Sequence, residues 1–204
     1  MSSSTQQIQK FGIKKMTDLN ADTPITSEEK EQLLPSYIST RDELNAAEQA
    51  NIIKALLWAE KRNESFLSQK ALVELHRRMF SDVWGWAGKY RKTPRNIGID
   101  AYKIPMEMES LISDTLYWKE NHTYSLREIA ARFHHKLVYI HPFPNGNGRF
   151  SRMATDLILK QEGQMPFKWG DHLEKISQRR RLYIEALREA DKHDFSLLFS
   201  FLNI

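Results

Sequence analysis

Residues 125–152 read SLREIAARFHHKLVYIHPFPNGNGRFSR. The first half predicts one helix, because a capping box of Ser125 and Glu128 precedes apolar residues that recur every three or four positions. This periodicity ends at His141, after which two prolines and two glycines follow within seven residues. A second helix is predicted at about 148–162, with a glycine as its C-terminal cap. The stretch therefore predicts two helices joined by a short loop.

The rest of the chain also follows helical periodicity. Thr40 and Ser68 are predicted N-caps of two further helices. The predicted helices outside the central pair lie at about 41–62, 69–80, 106–121, 171–191 and 194–202. Residues 91–105 differ, since two prolines and a glycine surround alternating isoleucines there, and this pattern predicts a small β-hairpin. The predicted fold class is mainly α, a helical bundle with one hairpin.

The length of the chain fits one domain. It has 204 residues, of which 41% are hydrophobic and 27% are charged, as in ordinary globular proteins. We expect residues 1–22 to form a flexible tail, since few of their side chains could offset the entropy lost on ordering. Residues 23–204 are expected to form a single domain that includes an N-terminal helical extension.

Composition excludes several classes of protein. The chain has no cysteine, which excludes disulfide scaffolds, thiolate metal sites and cysteine nucleophiles; a reducing, cytoplasmic location is therefore expected. No run of 18 apolar residues occurs, so no membrane-spanning helix is predicted. The net charge of +4 suits a phosphate-bearing ligand but is too small to predict direct binding of nucleic acid.

The loop after His141 has the composition of an anion-binding site. Small residues such as Gly146 and Gly148 allow backbone N–H groups to approach an anion closely. The helix that follows adds unpaired N–H groups and the positive end of its dipole. Arg149 and Arg152 lie three apart on that helix, close to its first turn. Two arginines at a helix N-terminus indicate an anion with several charges, such as a polyphosphate.

The same loop contains a candidate base. His141 has the side chain best suited to exchange a proton near neutral pH. Phe143 is predicted to be the apolar anchor of the loop, and Asn145 offers a neutral amide. Together these groups suit the transfer of a phosphate-containing group to a hydroxyl. A glycine-rich turn between helices is common, however, so the residues alone also allow a loop without a ligand.

The segment resembles the signature of the Fic family, H-x-F-x-[D/E]-G-N-G-R-x-x-R. Seven of its eight specified positions match, at His141, Phe143, Gly146, Asn147, Gly148, Arg149 and Arg152, while the acidic position holds Asn145. Residues 80–91 resemble the segment that precedes the flap of Fic proteins, and residues 97–105 resemble the flap. Residues 24–62 resemble the start of a bacterial subfamily called mobile mystery protein B. The similarity covers about residues 23–200.

The resemblance implies a function for each matching position. Fic proteins transfer AMP from ATP to a Ser, Thr or Tyr hydroxyl of a target protein, with Mg²⁺. His141 would be the general base and Phe143 the buried anchor. The residues implied to bind the phosphates are Gly146, Asn147, Gly148, Arg149 and Arg152. The flap residues Ile97, Gly98 and Ile99 would align the target segment as an added strand.

The departure at Asn145 leaves alternatives open. In the family this position carries the Mg²⁺, which prefers carboxylate and phosphate oxygens. Asn145 offers one neutral oxygen, so we expect a weaker dependence on the metal. Phosphoryl transfer by the same site is one alternative. A nucleotide-binding or regulatory module with little catalysis is the other.

A segment near the N-terminus resembles an inhibitory element of Fic proteins. Many Fic proteins carry an inhibitory helix, [S/T]-x-x-x-E-[G/N], and residues 39–44 match it except at the last position. The capping box of Thr40 and Glu43 is the preferred interpretation of that segment. Inhibition, if present, would come from another glutamate such as Glu48 or from a partner protein.

The histidines predicted to be isolated surface residues are His76, His122, His172 and His193.

Overall fold

The computed structural model describes residues 31–38, 40–170 and 175–204, and this part of the chain is mainly helical. The helices are α1 (Arg41–Glu60), α2 (Gln69–Phe80), a 3-10 turn (Ala101–Lys103), α3 (Ile104–Glu120), α4 (Leu126–Ile140), α5 (Asn147–Gln161), α6 (Ile176–Ala190) and α7 (Ser196–Leu202). The predicted mainly helical class is confirmed, and the predicted helices lie within a few residues of those observed. The predicted tail, residues 1–22, lies outside the described residues.

Helices α4 and α5 form the centre of the fold. They pack against each other; α4 also contacts α3 and α7, and α5 also contacts α2. Phe133, Leu137 and Ile140 of α4 belong to a core shared with α1, α2 and α3. Ala130 and Ala131 of the same helix belong to a second core shared with α6 and α7. Because α4 is buried on two faces, the loop that follows it starts from a fixed position.

Helices α1 and α2 form an antiparallel pair on one side of this centre. The buried Asn51 of α1 links α1 to the end of α2, because its Nδ2 donates to the Arg78 carbonyl at 2.8 Å. Its Oδ1 accepts from the Asp82 backbone N–H, also at 2.8 Å. Both capping boxes predicted from the sequence are present, at Thr40 and at Ser125.

The predicted hairpin at residues 91–105 is not formed. This segment contains bends and the 3-10 turn but no strand. The carbonyls of Thr93 and Ile99 accept hydrogen bonds from the Arg91 guanidinium, so they do not pair with a second strand. The alternating isoleucines do not mark a half-buried strand either, since the Ile97 side chain is 62% exposed. The segment is therefore a loop held by one arginine.

Two other features concern the surface. None of the described helices is long and apolar enough to cross a membrane. The basic run Arg179–Arg181 on α6 includes Arg179, whose side chain is buried. Arg181 of the same run is exposed.

Replacing Asn51 by alanine is expected to lower the free energy of unfolding by about 2 kcal/mol, because it leaves a partly buried N–H and a carbonyl without partners. Urea unfolding followed by circular dichroism would measure the change. Asn45→Ala is the matched control, since Asn45 is exposed on the same helix. Equal effects of the two substitutions would contradict the assignment.

Candidate active site

The loop between α4 and α5 reverses the chain with two left-handed residues. His141 ends α4 with φ 52° and ψ 60°, and Gly146 precedes α5 with φ 76°. A side chain at Gly146 would collide with Phe80, since an added Cβ would lie 2.5 Å from Phe80 Cζ. Asn147 closes the loop: its Oδ1 accepts from the Phe143 N–H at 2.9 Å, and its Nδ2 donates to the Phe143 carbonyl at 2.8 Å.

Phe143 is fully buried beneath the loop. Its ring stacks on the imidazole of His76 at 3.6 Å between centroids and contacts the edge of Phe150 at 5.1 Å. The prediction that His76 lies on the surface is therefore wrong, because its side chain has no exposure. His76 lies one helical turn from Leu72 and Phe80, on the apolar face of α2, and that spacing could have indicated its burial.

The start of α5 presents backbone donors. The N–H groups of Asn147, Gly148 and Arg149 have no acceptor within the helix, as at any helix N-terminus. The Gly146 N–H differs, since it donates to Asn145 Oδ1 at 2.7 Å. Of the five residues implied to bind phosphates, Asn147, Gly148 and Arg149 therefore have backbone N–H groups without an acceptor in the helix, whereas the N–H of Gly146 is engaged.

The catalytic candidate His141 lies beside residues 97–99. An added Cβ at Gly98 would lie 2.5 Å from His141 Cβ, so only glycine allows this approach. The pKa of His141 is lowered to about 4, mainly by burial and also by the charges of Arg91 and Arg95, while a hydrogen bond with the Val138 backbone opposes them. The imidazole is therefore neutral at pH 7 and able to accept a proton.

Arg91 holds this arrangement, and the sequence predictions did not include it. Its side chain is buried, and its Nε donates to the His141 carbonyl at 2.7 Å. Its backbone N–H donates to the Pro142 carbonyl at 2.9 Å. Since its guanidinium also binds the carbonyls of Thr93 and Ile99, one side chain joins the segment of residues 93–99 to His141. A buried arginine resembles a surface one in a single sequence, so no periodic signal identifies it.

The first motif arginine is paired with an acidic side chain. Arg149 Nη1 forms an ion pair with Glu48 Oε2, and the guanidinium lies over the Phe80 ring at 4.9 Å. Glu48 is buried, and its other oxygen accepts from Trp84 Nε1 at 2.6 Å. The structure thus brings Glu48, the glutamate considered for inhibition, to Arg149 in the first turn of α5.

The second motif arginine lies in different surroundings. The Arg152 side chain has no exposure and lies at the centre of buried polar groups from three helices. Burial lowers its pKa, while Tyr183 and Asp156 raise it. Although Arg149 and Arg152 lie three apart, their guanidinium groups therefore face different environments, and Arg152 does not reach the surface of the loop.

Comparisons with known proteins agree with this arrangement. Residues 66–159 match the model of the Fic/DOC family. Residues 66–159 therefore form a domain of the Fic/DOC family. The chain is 32% identical over 135 residues to the protein adenylyltransferase Fic of Nematostella vectensis. The aligned residues cover 64% of this chain and 30% of that protein. The corresponding protein of Culex quinquefasciatus is 30% identical over 141 residues, covering 67% of this chain and 27% of that protein.

Solved structures show the same Fic fold. Fic-1 of C. elegans, residues 134–508, superposes with a TM-score of 0.68 at 20% identity, covering 99% of this chain and 62% of that chain. BepC of Bartonella tribocorum, solved with bound AMPPNP, has a TM-score of 0.66 at 17% identity, covering 87% of this chain and 96% of that chain. The chain spans only about 30% of the curated relatives named above. The mobile mystery protein B subfamily stays a prediction.

The residues of this Fic domain do not fit a resident Mg²⁺ ion. Among the described residues, no group of three or more His, Cys, Asp or Glu side chains is placed to hold a metal. The Oδ1 of Asn145, the predicted ligand, accepts a hydrogen bond from the Gly146 N–H instead. A single bonded amide oxygen is a poor site for a hard cation that prefers carboxylates.

The adjacent histidines His134 and His135 of α4 pair with side chains from α6 and its C-terminal end. His134 Nε2 lies 2.8 Å from the Tyr183 hydroxyl, and the ring contacts Trp169. His135 Nε2 lies 2.8 Å from Asp191 Oδ1. The two rings thus connect α4 to α6 and to the residues at its C-terminal end.

We expect the free energy of unfolding to fall as the pH drops from about 6.5 to about 4. Burial lowers the pKa of His76 and of His134 to about 3, and that of His141 to about 4. The unfolded chain, whose histidines titrate near pH 6.5, therefore binds more protons across this window. Urea titrations at several pH values would measure the slope.

Asp156 provides the control for this pH dependence. Burial raises its pKa to about 7, so the folded chain binds a proton there that the unfolded chain releases above about pH 3.8. This group opposes the three histidines, and Asp156→Asn should make the fall in stability steeper. Stability that rises on acidification would contradict the assignment of buried neutral histidines.

Proposed function

We propose that this Fic domain transfers AMP from ATP to a Ser, Thr or Tyr hydroxyl of a target protein. The observation that carries the proposal is the position of His141, a neutral imidazole that begins the loop leading to the available N–H groups of Asn147 and Gly148. A base and an anion cradle joined by one short loop suit attack of a hydroxyl on a phosphorus atom. The adenylyltransferase names of the relatives support the same chemistry.

In this proposal the start of α5 binds the phosphates. The N–H groups of Asn147, Gly148 and Arg149 and the helix dipole stabilise negative charge. Arg149 would add its cation from the edge of the cradle, where Glu48 now pairs with it. BepC, which has the same fold, was solved with AMPPNP bound, and this supports a nucleotide as ligand. A divalent ion would arrive with the triphosphate as part of the substrate.

His141 would then remove the proton of the target hydroxyl. Its Nδ1 is buried, so Nε2 is the nitrogen available to accept. The hydroxyl oxygen forms a bond to the α-phosphorus, and the bond from that phosphorus to the oxygen bridging to the β-phosphate breaks. Pyrophosphate leaves, and the proton is held on Nε2. A neutral imidazole at pH 7 is the form that this reaction needs.

The loop of residues 97–99 would position the target. Gly98 lies against His141, and the Ile97 side chain projects into solvent. Since the carbonyl of Ile99 is bonded to Arg91, a target segment would find fewer backbone partners on this loop than on a free strand edge. We therefore propose that Ile97 contacts the target through its side chain.

One observation favours a second candidate function, nucleotide binding without turnover. Glu48 neutralises Arg149, and Arg152 is fully buried, so both predicted phosphate clamps are engaged within the protein. A domain in this state would bind the nucleotide through backbone N–H groups and release it unchanged. Incubation with ATP labelled at the α-phosphate separates the two candidates, because only transfer leaves label on protein.

His141→Asn is expected to abolish transfer of the label, with a loss of about a thousandfold or more. Asparagine tolerates the left-handed conformation at this position, so the variant removes the base without straining the loop. The assay would use cell lysate or peptide hydroxyls with ATP labelled at the α-phosphate.

His122→Asn is the matched control, since His122 is exposed and has a positive φ of 49°. It should leave transfer unchanged. Transfer that persists in His141→Asn would show that His141 is not the base.

Asn145→Asp should strengthen the dependence of nucleotide binding on Mg²⁺. The new carboxylate supplies the charge that a hard cation prefers, and we expect AMPPNP to bind about tenfold more tightly in the presence of Mg²⁺. Titration calorimetry with and without EDTA would measure this. Asn145→Ala, which adds no charge, serves as the control, and identical Mg²⁺ titrations of Asn145→Asp and the unmodified chain would refute the explanation.

A further inference from the structure

His76 connects the catalytic loop to a second loop. Its Nδ1 lies 3.0 Å from the backbone nitrogen of Gly88, and its Nε2 lies 3.2 Å from the carbonyl oxygen of Asn145. Because a backbone N–H can only donate, Nδ1 is the acceptor and the ring carries its hydrogen on Nε2. Nε2 therefore donates to the Asn145 carbonyl. Both ring nitrogens are satisfied by a single neutral tautomer.

The imidazole ring also packs against the buried side of the loop, where Phe143 lies. It lies nearly parallel to the Phe143 ring, with an interplanar angle of 12°. It meets Phe150 of α5 edge-on at 5.4 Å and lies 4.9 Å from Phe80. His76 has no exposure, and the Trp86 ring also lies 5.8 Å from its ring. The ring thus touches the anchor of the loop, its carbonyl end and the helix that follows.

One short segment, residues 88–91, is linked to the loop between α4 and α5 at both of its ends. Residues 88–91 bind the start of the loop directly, since the Arg91 side chain and backbone donate to the carbonyls of His141 and Pro142. They bind its end through His76, which connects Gly88 to Asn145. The distance between the base and the phosphate-binding N–H groups is therefore held from one side of the loop.

We propose that His76 is a positioning residue of the nucleotide site, whose Nε2–H bond to the Asn145 carbonyl holds the start of α5 at its distance from His141. This inference rests on the proposed function. Misplacement of reacting groups by about 1 Å can cost about a hundredfold in rate. Without this bond the Asn145 carbonyl loses its partner and the loop can relax away from His141.

Two substitutions separate the two hydrogen bonds. In His76→Gln the amide nitrogen falls close to the position of Nε2 and can donate to the Asn145 carbonyl. In His76→Asn the shorter side chain can accept from the Gly88 N–H but does not reach Asn145. Both lose the stacked ring, so their losses of stability should be similar. They form a matched pair that differs in the bond to the catalytic loop.

We expect kcat/KM for ATP to fall about tenfold or more in His76→Asn and by less than about threefold in His76→Gln, each relative to the unmodified chain. Asn51→Ala supplies a variant with reduced stability whose substitution does not touch the loop. Its rate should stay unchanged at a temperature where all variants are folded. Equal rates for the Gln and Asn variants, or rates that follow stability alone, would overturn the proposal.

Two readouts do not depend on transfer. Nitrogen NMR of the folded chain should show His76 with its hydrogen on Nε2 at pH 7, and a ring protonated on Nδ1 would overturn the proposal. If the unmodified chain transfers no label, the proposed function fails, and the affinity for AMPPNP then tests His76. Weaker binding by His76→Asn than by His76→Gln would support the positioning role, and equal binding would refute it.

Discussion

The two hydrogen bonds between the Asn147 side chain and the Phe143 backbone are the interaction on which this site depends. They close a loop that must reverse the chain between two buried helices. With the loop closed, Phe143 lies in the core and the first N–H groups of α5 have no acceptor within the helix. An amide that both donates and accepts is needed here, and no apolar residue of similar size could replace it.

The loop is held by buried polar side chains of α2 and of the segment that follows α2. His76 donates to the Asn145 carbonyl near the end of the loop, and Arg91 donates to the His141 carbonyl at its start. Both side chains are buried, where an unpaired polar group would be costly. The energetic penalty for leaving either bond unmade thus resists opening of the loop. The site is preorganised in this sense, since its donors are oriented before a nucleotide arrives.

Much of this architecture could be predicted from the sequence, because helices and caps are encoded locally. The capping boxes at Thr40 and Ser125 are present as predicted, and the motif loop lies between the two central helices. The hairpin was predicted wrongly, since alternation at Ile97 and Ile99 resembles a strand in sequence. In the structure the carbonyl of Ile99 bonds to Arg91, a partner eight residues away that periodicity does not reveal.

The sequence by itself determined the helical class and the position of the motif loop between α4 and α5, because these depend on residues close together in the chain. Only the tertiary structure decided which polar and charged side chains contact that loop. Glu48 meets Arg149 across 101 positions, and His76 meets Asn145 across 69. Arg149 and Arg152, three residues apart, have different environments because α5 is packed on two sides. Burial and long-range pairing depend on how the helices pack, and a single sequence does not specify that packing locally.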